Sequence, residues 1–429
     1  MPDAAMSAPD DEPRGDTTQE QRPVIESDGP PPRDRRLRFL LRMAMQLRIG
    51  TLELVMPDGT CHRVIASPEP VARFVIKHPS AVTRLAAGGS LGLAEAYLDG
   101  LWESPDLRAV MLLAIRNEAE WEEALNQRPV KRFVAKLLHM LRPNTRRGAR
   151  RNIEEHYDLG NDFYRTWLDD SMTYSSAYFG GDPAVPLQQA QLQKIHRLCQ
   201  LLRLAPGMRV LEIGCGWGGF AEVAARDYGC NVVGVTLSPA QLEFAQARIK
   251  AAGLESRVEL RLQDYRDVDG TFDRIASIEM FEAVGEKFWP VYFKVIRERL
   301  RQNGIAGIQV ITIADRLFDN YRKSADFIQR HVFPGGMLPS KRRLRSVITK
   351  AGLAWGEEHW FGHDYAETLS RWQDTFQRSW PRIVADSAVQ RRPCDDRFKR
   401  LWEYYLAYCE AGFRAGWTDV GQILIAPNQ

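Results

Sequence analysis

The chain has 429 residues, with 58 Lys+Arg against 55 Asp+Glu for a net charge of +3, and is 44% hydrophobic and 26% charged. That is the composition of a globular protein, which excludes fibrous and wholly disordered chains, and the length allows one large domain or two ordinary ones. No run approaches the roughly 18 apolar residues of a spanning helix, and the six scattered cysteines and eight histidines form neither a CxxC pair nor an HExxH motif, so free buried thiols and no metal are expected.

Residues 1–36 carry nine acids, five arginines and several prolines with almost no bulky apolar side chain, the pattern of a disordered acidic tail. They contain no apolar segment of a secretory signal, which points to the cytoplasm. Leu37 to Arg48 sets arginines among Leu, Phe and Met at near-helical spacing, as in a helix packed on its own domain or lying on a membrane surface. Thr51 to Ala66 reads as a β-hairpin turning at Pro57-Asp58-Gly59, because alternating residues flank turn chemistry. Val71 to Lys77, a break at Gly88-Gly89 and helical stretches from Leu91 to Leu125 complete a small α+β domain, bounded at 37–150 with its linker.

Within that linker, Arg128 to Arg151 holds nine Lys+Arg and no acid beside an apolar stripe of Phe133, Val134, Leu137, Leu138 and Leu141. A basic face next to an apolar one suits anionic phospholipid headgroups; a solvated linker helix is the plain alternative. Nucleic acid is not expected, since the net charge is modest and no nucleic-acid module is recognisable.

The second domain is placed at 151–429. From Met208 the pattern becomes short β-rich runs alternating with helices: Arg209 to Ile213, Asn231 to Thr236, Val258 to Gln263, Phe272 to Ile278 and Ile305 to Ile313. Such alternation predicts an α/β fold with a doubly wound, mostly parallel sheet. A long insertion, Ala314 to Lys341, has the length of a lid or binding element. Helices around Tyr365 to Arg378 and Phe398 to Arg414 and a strand from Val420 to Ala426 close the chain.

The segment Val210-Leu211-Glu212-Ile213-Gly214-Cys215-Gly216-Trp217-Gly218 is a buried strand entering a glycine-rich turn, where backbone can approach a ligand that a Cβ would block. A nicotinamide dinucleotide site would place a carboxylate at the tip of the second strand. Here that strand ends Val235-Thr236-Leu237-Ser238, and S-adenosylmethionine is the better match. Gly214, Gly216 and Gly218 then shape the turn, Glu212 orders it, Gln241 reaches a ribose hydroxyl near Thr236, and Asp264, after Gln263, reaches the adenine amine. Asp264 can equally be a helix N-cap.

Further motifs are His156-Tyr157-Asp158-Leu159-Gly160-Asn161, Met172-Thr173-Tyr174-Ser175-Ser176-Ala177-Tyr178-Phe179, Gln263-Asp264-Tyr265-Arg266-Asp267, Met280-Phe281-Glu282, Phe333-Pro334-Gly335 and the Tyr404 to Arg414 helix. With the glycine loop, they make the chain similar to the cyclopropane fatty acid synthases and mycolic acid cyclopropane synthases from about residue 50 to the end. The resemblance implies a class I S-adenosylmethionine methyltransferase domain with a seven-stranded sheet and a lipid-interacting N-terminal domain. It further implies peripheral association with the inner face of the membrane, with a homodimer allowed, and methyl transfer to the cis double bond of a phospholipid acyl chain. The resulting carbocation loses a proton and closes to cyclopropane.

In that family the base is bicarbonate, held by a Glu, a His, a Tyr and backbone groups. Glu282 and Tyr365 match the Glu and Tyr, and Ser176 and Ile311 supply backbone. Tyr174 and Ser175 belong to the cofactor side. Two positions depart from the pattern: Ser176 replaces Cys, and Gln309 replaces His. Gln donates a hydrogen bond but carries no positive charge, so a methylene- or methyl-branched product stays open beside cyclopropane. A small-molecule methyltransferase and a non-catalytic lipid-binding protein are the remaining alternatives. Tyr157, Phe163, Tyr174, Tyr178, Phe179, Trp217 and Phe281 are candidates to face the cation, each with a packing role as the alternative. Cys409, on an apolar helix, reads as inert core.

Overall fold

A computed structural model describes residues 23–125, 159–323, 326–385 and 394–428. The first unit contains β1 (Val24–Ser27), α1 (Arg35–Ala44), β2 (Thr51–Val55), β3 (Cys61–Ile65), β4 (Val71–Ile76), α2 (Ser80–Leu98), β5 (Trp102–Glu103), α3 (Leu107–Arg116) and α4 (Glu118–Leu125). Its sheet runs β1-β3-β2-β4-β5. The expected hairpin is β2 and β3, paired antiparallel from Thr51↔Ile65 to Val55↔Cys61, and β4 lies parallel to β2. The glycine break falls inside α2, where Gly89 leaves helical geometry at φ +58°.

The tail differs from its expected extent. Residues 24–27 form an edge strand on β3, with Val24 opposite Ile65 and Ser27 opposite His62. All four residues are exposed, so the strand is held by backbone pairing with Ser27 Oγ bonded to His62 Nδ1 at 2.8 Å rather than by apolar burial, and such pairing leaves little mark on composition. Residues 1–22 and the basic segment Arg128 to Arg151 lie outside the described residues, as does His156-Tyr157-Asp158.

The second unit begins with α5 (Asn161–Arg165) and α6 (Leu187–Leu201) and continues β6 (Arg209–Ile213), α7 (Gly219–Arg226), β7 (Asn231–Thr236), α8 (Pro239–Ala251), β8 (Val258–Leu262), β9 (Phe272–Ile278), α9 (Trp289–Arg299) and β10 (Leu300–Ile313). It ends with α10 (Asp315–Tyr321), α11 (Phe327–His331), α12 (Lys341–Lys350), β11 (Leu353–Trp360), α13 (Gly362–Ala385), α14 (Asp396–Arg414) and β12 (Thr418–Pro427). The strand order is β11-β12-β10-β9-β6-β7-β8. Only β12 runs antiparallel to its neighbours.

Near-continuous apolar strands need cover on both faces. Leu211, Ile213, Val233 and Ile275 pack with Trp289, Phe293 and Ile296 of α9 on one face. Val210, Val232 and Ala276 pack with Leu198 of α6 and Phe220 of α7 on the other. This is the doubly wound arrangement expected from sequence. No helix among the described residues is long and apolar enough to cross a membrane.

Candidate active site

In a doubly wound sheet, ligands bind beyond the carboxyl ends of the strands, where the strand order reverses. That point here is β6, flanked by β7 on one side and β9 on the other. Its strand end carries Glu212 and the glycine loop, and the end of β9 carries Glu279, Met280 and Glu282. Both line one cavity of about 360 Å³.

Gly214 has φ +83°, and a Cβ there would lie 2.7 Å from the Met280 side chain. Gly216, at φ +50°, has nothing within 4 Å of its Cβ position and lines the cavity. Gly218 is the left-handed cap of α7. Glu212 is buried, and burial raises its carboxyl well above the usual range, opposed by the backbone at Ala221 and by Arg248 and Lys194. Its Oε2 meets no hydrogen-bond partner among the described residues.

Thr236 Oγ1 donates to Gln241 Oε1 at 3.1 Å, and both residues line the cavity, as do Gln263 and Asp264. Asp264 caps the turn after β8 by accepting from Arg266 N and pairs with the Arg266 guanidinium at 2.6 Å. The capping alternative therefore holds at Asp264, together with its place at the cavity. Tyr174 and Tyr405 share a hydroxyl hydrogen bond of 2.8 Å. Ser175 Oγ accepts from Lys194 Nζ at 2.6 Å. Lys194 is fully buried, which lowers its ammonium to about 8 against the pull of Glu279, Asp169 and Glu212.

These residues fit S-adenosylmethionine: a glycine cradle open at Gly216, a buried carboxylate with one oxygen unpaired, and uncharged side chains at the tip of β7. When bound, that cofactor supplies a methyl group on a sulfonium.

Glu279 and Tyr365 also line the cavity, and here Ser176, Gln309 and Tyr365 converge, but on a different carboxylate from the one expected. Ser176 N donates to Glu279 Oε1 at 2.8 Å, Gln309 Nε2 donates to the same oxygen at 2.8 Å, and Tyr365 OH donates to Glu279 Oε2 at 2.8 Å. Gln309 Oε1 accepts from Gln422 Nε2 at 3.1 Å, which orients the amide with its nitrogen toward Glu279. Glu282 lies instead with Oε1 accepting from Ile311 N. Its Oε2 has no hydrogen-bond partner among the described residues. Burial, with Glu279 nearby, pushes the Glu282 carboxyl up to about 8.

The physical reason is backbone geometry. Glu279 has φ +48° and its N–H donates to Gln309 O, so the chain turns sharply off β9, and Glu282 follows three residues later in a short 3₁₀ turn. Glu279, Lys194 and Gln422 were not among the residues read from sequence. A carboxylate directly after β9, at the reversal of strand order, was the available signal.

Of the candidate aromatics, Tyr174 and Trp217 line the cavity, whereas Phe163 and Phe281 are enclosed in packed aromatic clusters and Tyr178 packs on Phe361. Tyr157 lies outside the described residues. Lining rings beyond these candidates include Phe333, Tyr405 and Phe413, joined by apolar Ile328, Leu338 and Leu369. The insertion after β10 supplies Ile328, Phe333 and Leu338, so it does build the binding cavity. Burial raises the Cys409 thiol far above its usual range, in keeping with an inert residue. No cluster of metal-binding side chains occurs among the described residues.

The fold and the glycine cradle together define a class I S-adenosylmethionine-dependent methyltransferase. A tuberculostearic acid methyltransferase, UfaA1, of Mycobacterium tuberculosis (strain ATCC 25618 / H37Rv) is 37% identical over 404 residues, covering 90% of this chain and 89% of its own. The cyclopropane-fatty-acyl-phospholipid synthase of Escherichia coli (strain K12) is 38% identical over 351 residues, 82% of this chain and 87% of its own. The crystal structure of mycolic acid cyclopropane synthase CmaA1 complexed with SAH and CTAB superposes with a TM-score of 0.59 at 31% identity, covering 67% of this chain and 99% of that one. The family model for mycolic acid cyclopropane synthetase matches residues 144–423. The chain belongs to that family, as a methyltransferase of the cyclopropane-fatty-acyl-phospholipid synthase type.

Proposed function

We propose that this enzyme transfers the methyl group of S-adenosylmethionine to a cis double bond in the acyl chain of a membrane phospholipid, and that the resulting cation loses a proton to give a cyclopropane ring. The observation that carries this reading is the single cavity in which the glycine cradle, a buried carboxylate held by three donors and an apolar, ring-lined end meet. An alkene has no proton to remove before attack. Its methylation needs a dry site, rings to face the cation, and one acceptor for the proton lost at the end. The similarity to the Escherichia coli phospholipid synthase supports the substrate class.

Contact with the membrane would be peripheral, from the cytoplasmic side. Exposed Arg35, Arg36, Arg38 and Arg42 on α1 and Arg48 just beyond it support this, since basic residues near an anionic leaflet each contribute about 1 kcal/mol. A methylene- or methyl-branched product is the second reading. Gln309 in place of His favours it, as does the similarity to a tuberculostearic acid methyltransferase.

The test is incubation of the purified protein with S-adenosylmethionine and vesicles of a cis-monounsaturated phospholipid, with the released fatty acids analysed by mass spectrometry and proton NMR. One added CH₂ with cyclopropane protons is expected. Vinylidene or methyl-branch signals would select the second reading, and unmodified lipid would refute both.

A further inference from the structure

We propose that the carboxylate of Glu279 is itself the proton acceptor, seated where the family resemblance places bicarbonate, so that this enzyme works without a bicarbonate cofactor. The proposal rests on the alkene-methylation reading above and adds the identity of its base.

Three observations support it. First, of the donors that the resemblance assigns to the anion, Ser176 N, Gln309 Nε2 and Tyr365 OH each donate to Glu279 at 2.8 Å, and the remaining one, Ile311 N, donates to Glu282 Oε1. Their hydrogen bonds are already satisfied by the chain. Second, Glu279 has φ +48°, a left-handed conformation that glycine adopts at less cost. Strain of this kind persists where a side chain is needed, and here it aims the carboxylate at the three donors.

Third, the local charge leaves no room for another anion. Glu279 and Glu282 are both buried, Glu282 is not paired with a cation, and Lys194 is the positive group acting on Glu279. A bicarbonate placed beside the Glu279 carboxylate would add like charge in a low-dielectric site, and Glu282, whose carboxyl is held up to about 8, brings no positive charge to offset it. Gln309 agrees with this: a neutral amide suits an anion that the protein already supplies, and no histidine charge is required.

The step balances as follows. The alkene π pair forms a bond to the transferred methyl carbon as the carbon–sulfur bond breaks and its pair stays on sulfur, leaving a cation on the second alkene carbon. The C–H pair of the new methyl group closes the ring onto that carbon, and the proton passes to an oxygen of Glu279. If a hydride first shifts from the methyl-bearing carbon to the cationic one, the cation moves to the methyl-bearing carbon, the C–H pair of the methyl group becomes a C=C π bond as the same oxygen receives the proton, and the product is the methylene chain.

The test compares the wild type with Glu279→Gly and Glu279→Gln. Glycine suits the backbone at φ +48° and leaves the three donors around an open seat, whereas Gln keeps the shape but accepts no proton. The wild type is expected to turn over equally in bicarbonate-free and bicarbonate-supplemented buffer. Glu279→Gly is expected to lose about a hundredfold or more in rate and to recover at least tenfold of it with millimolar bicarbonate, while Glu279→Gln stays inactive in both.

Binding is read separately, by ¹³C NMR of labelled bicarbonate in the presence of S-adenosylhomocysteine. Line broadening is expected with Glu279→Gly and not with the wild type. Bicarbonate-dependent wild-type turnover would overturn the proposal. So would wild-type broadening that Tyr365→Phe removes, a Glu279→Gly variant fully active without bicarbonate, or one that binds none. If no lipid is methylated by any form, the alkene reading fails, while the NMR comparison still decides whether Glu279 fills an anion seat.

Discussion

Glu279 and Glu282 stand three positions apart in the string Ile278-Glu279-Met280-Phe281-Glu282, and sequence spacing alone does not say which one meets Tyr365. The backbone turn at Glu279 decides it. Glu282 offers a pH test, because its carboxyl is raised from an ordinary 4.5 to about 8 by burial and by Glu279. In the native state it keeps a proton that the unfolded chain has released, so its contribution to stability is complete below about pH 4.5 and is lost as the pH climbs through 8. Melting temperatures of wild type and Glu282→Gln, measured from pH 5 to pH 8.5, are expected to show a wild type that loses stability relative to the variant across this interval. A constant difference would contradict the burial argument. Glu279 and Lys194 also titrate in this site and are common to both proteins, so the comparison isolates position 282 to first order.

The cofactor loop was far more legible, because glycine spacing after a strand has few explanations. Gly216 opens directly onto the cavity. Calorimetry with S-adenosylmethionine is expected to show Gly216→Val binding at least tenfold more weakly, since two methyl groups would enter space that the ligand needs. Unchanged affinity would move the cofactor away from this loop.

At the scale of elements, one buried amide joins two parts of the N-terminal unit. Asn117 is fully enclosed and follows α3. Its Oδ1 accepts from Arg48 N at 2.8 Å and Ile49 N at 3.0 Å, and its Nδ2 donates to Ile49 O and Leu113 O, each at 2.9 Å. It therefore ties the link between α1 and β2 to the end of α3 with every polar group used. Asn117→Ala leaves buried backbone groups unpaired and is expected to cost roughly 2–4 kcal/mol, measurable by urea denaturation. A cost below about 0.5 kcal/mol, the range of a neutral surface change, would show that water replaces the amide.

Among the elements, the hairpin of β2 and β3 and the parallel strands β6 to β9 were readable because half-buried strands alternate and fully buried ones run apolar. β1 and β11 were not. Their side chains are mostly exposed, and edge pairing is a backbone property that residue type scarcely records. β10 likewise begins at Leu300, five residues before the apolar run that marked it, because its early residues Arg301, Gln302 and Asn303 are exposed.

The two units expected from sequence share one core. Tyr97, Trp102 and Leu113 of the first unit belong to the same buried cluster as Trp167, Trp372, Trp402 and Phe413 of the second. Polar contacts cross the same boundary: Tyr97 OH donates to Glu403 at 3.1 Å, and Arg108 donates to Ser370 at 2.9 Å. Since α13 and α14 also supply Tyr365, Leu369, Tyr405 and Phe413 to the cavity, the N-terminal unit buttresses the walls of the site. Residues 159–429 produced alone are expected to aggregate, or to melt at least 10 °C below the full chain by scanning calorimetry. An equal melting temperature would show the second unit to be independent.

Sequence by itself determined the α/β class, the glycine cradle, the hairpin and the family likeness, because each rests on local spacing: strand periodicity, glycines where a Cβ cannot fit, and motifs of a few neighbouring residues. Tertiary structure alone decided which carboxylate Ser176, Gln309 and Tyr365 embrace, which rings reach the cavity, and that both units share a core. These depend on residues far apart in the chain meeting in one place, from 30 positions for Gln309 to 103 for Ser176 at the Glu279 carboxylate, and on a single positive φ at Glu279 that no neighbouring residue type announces.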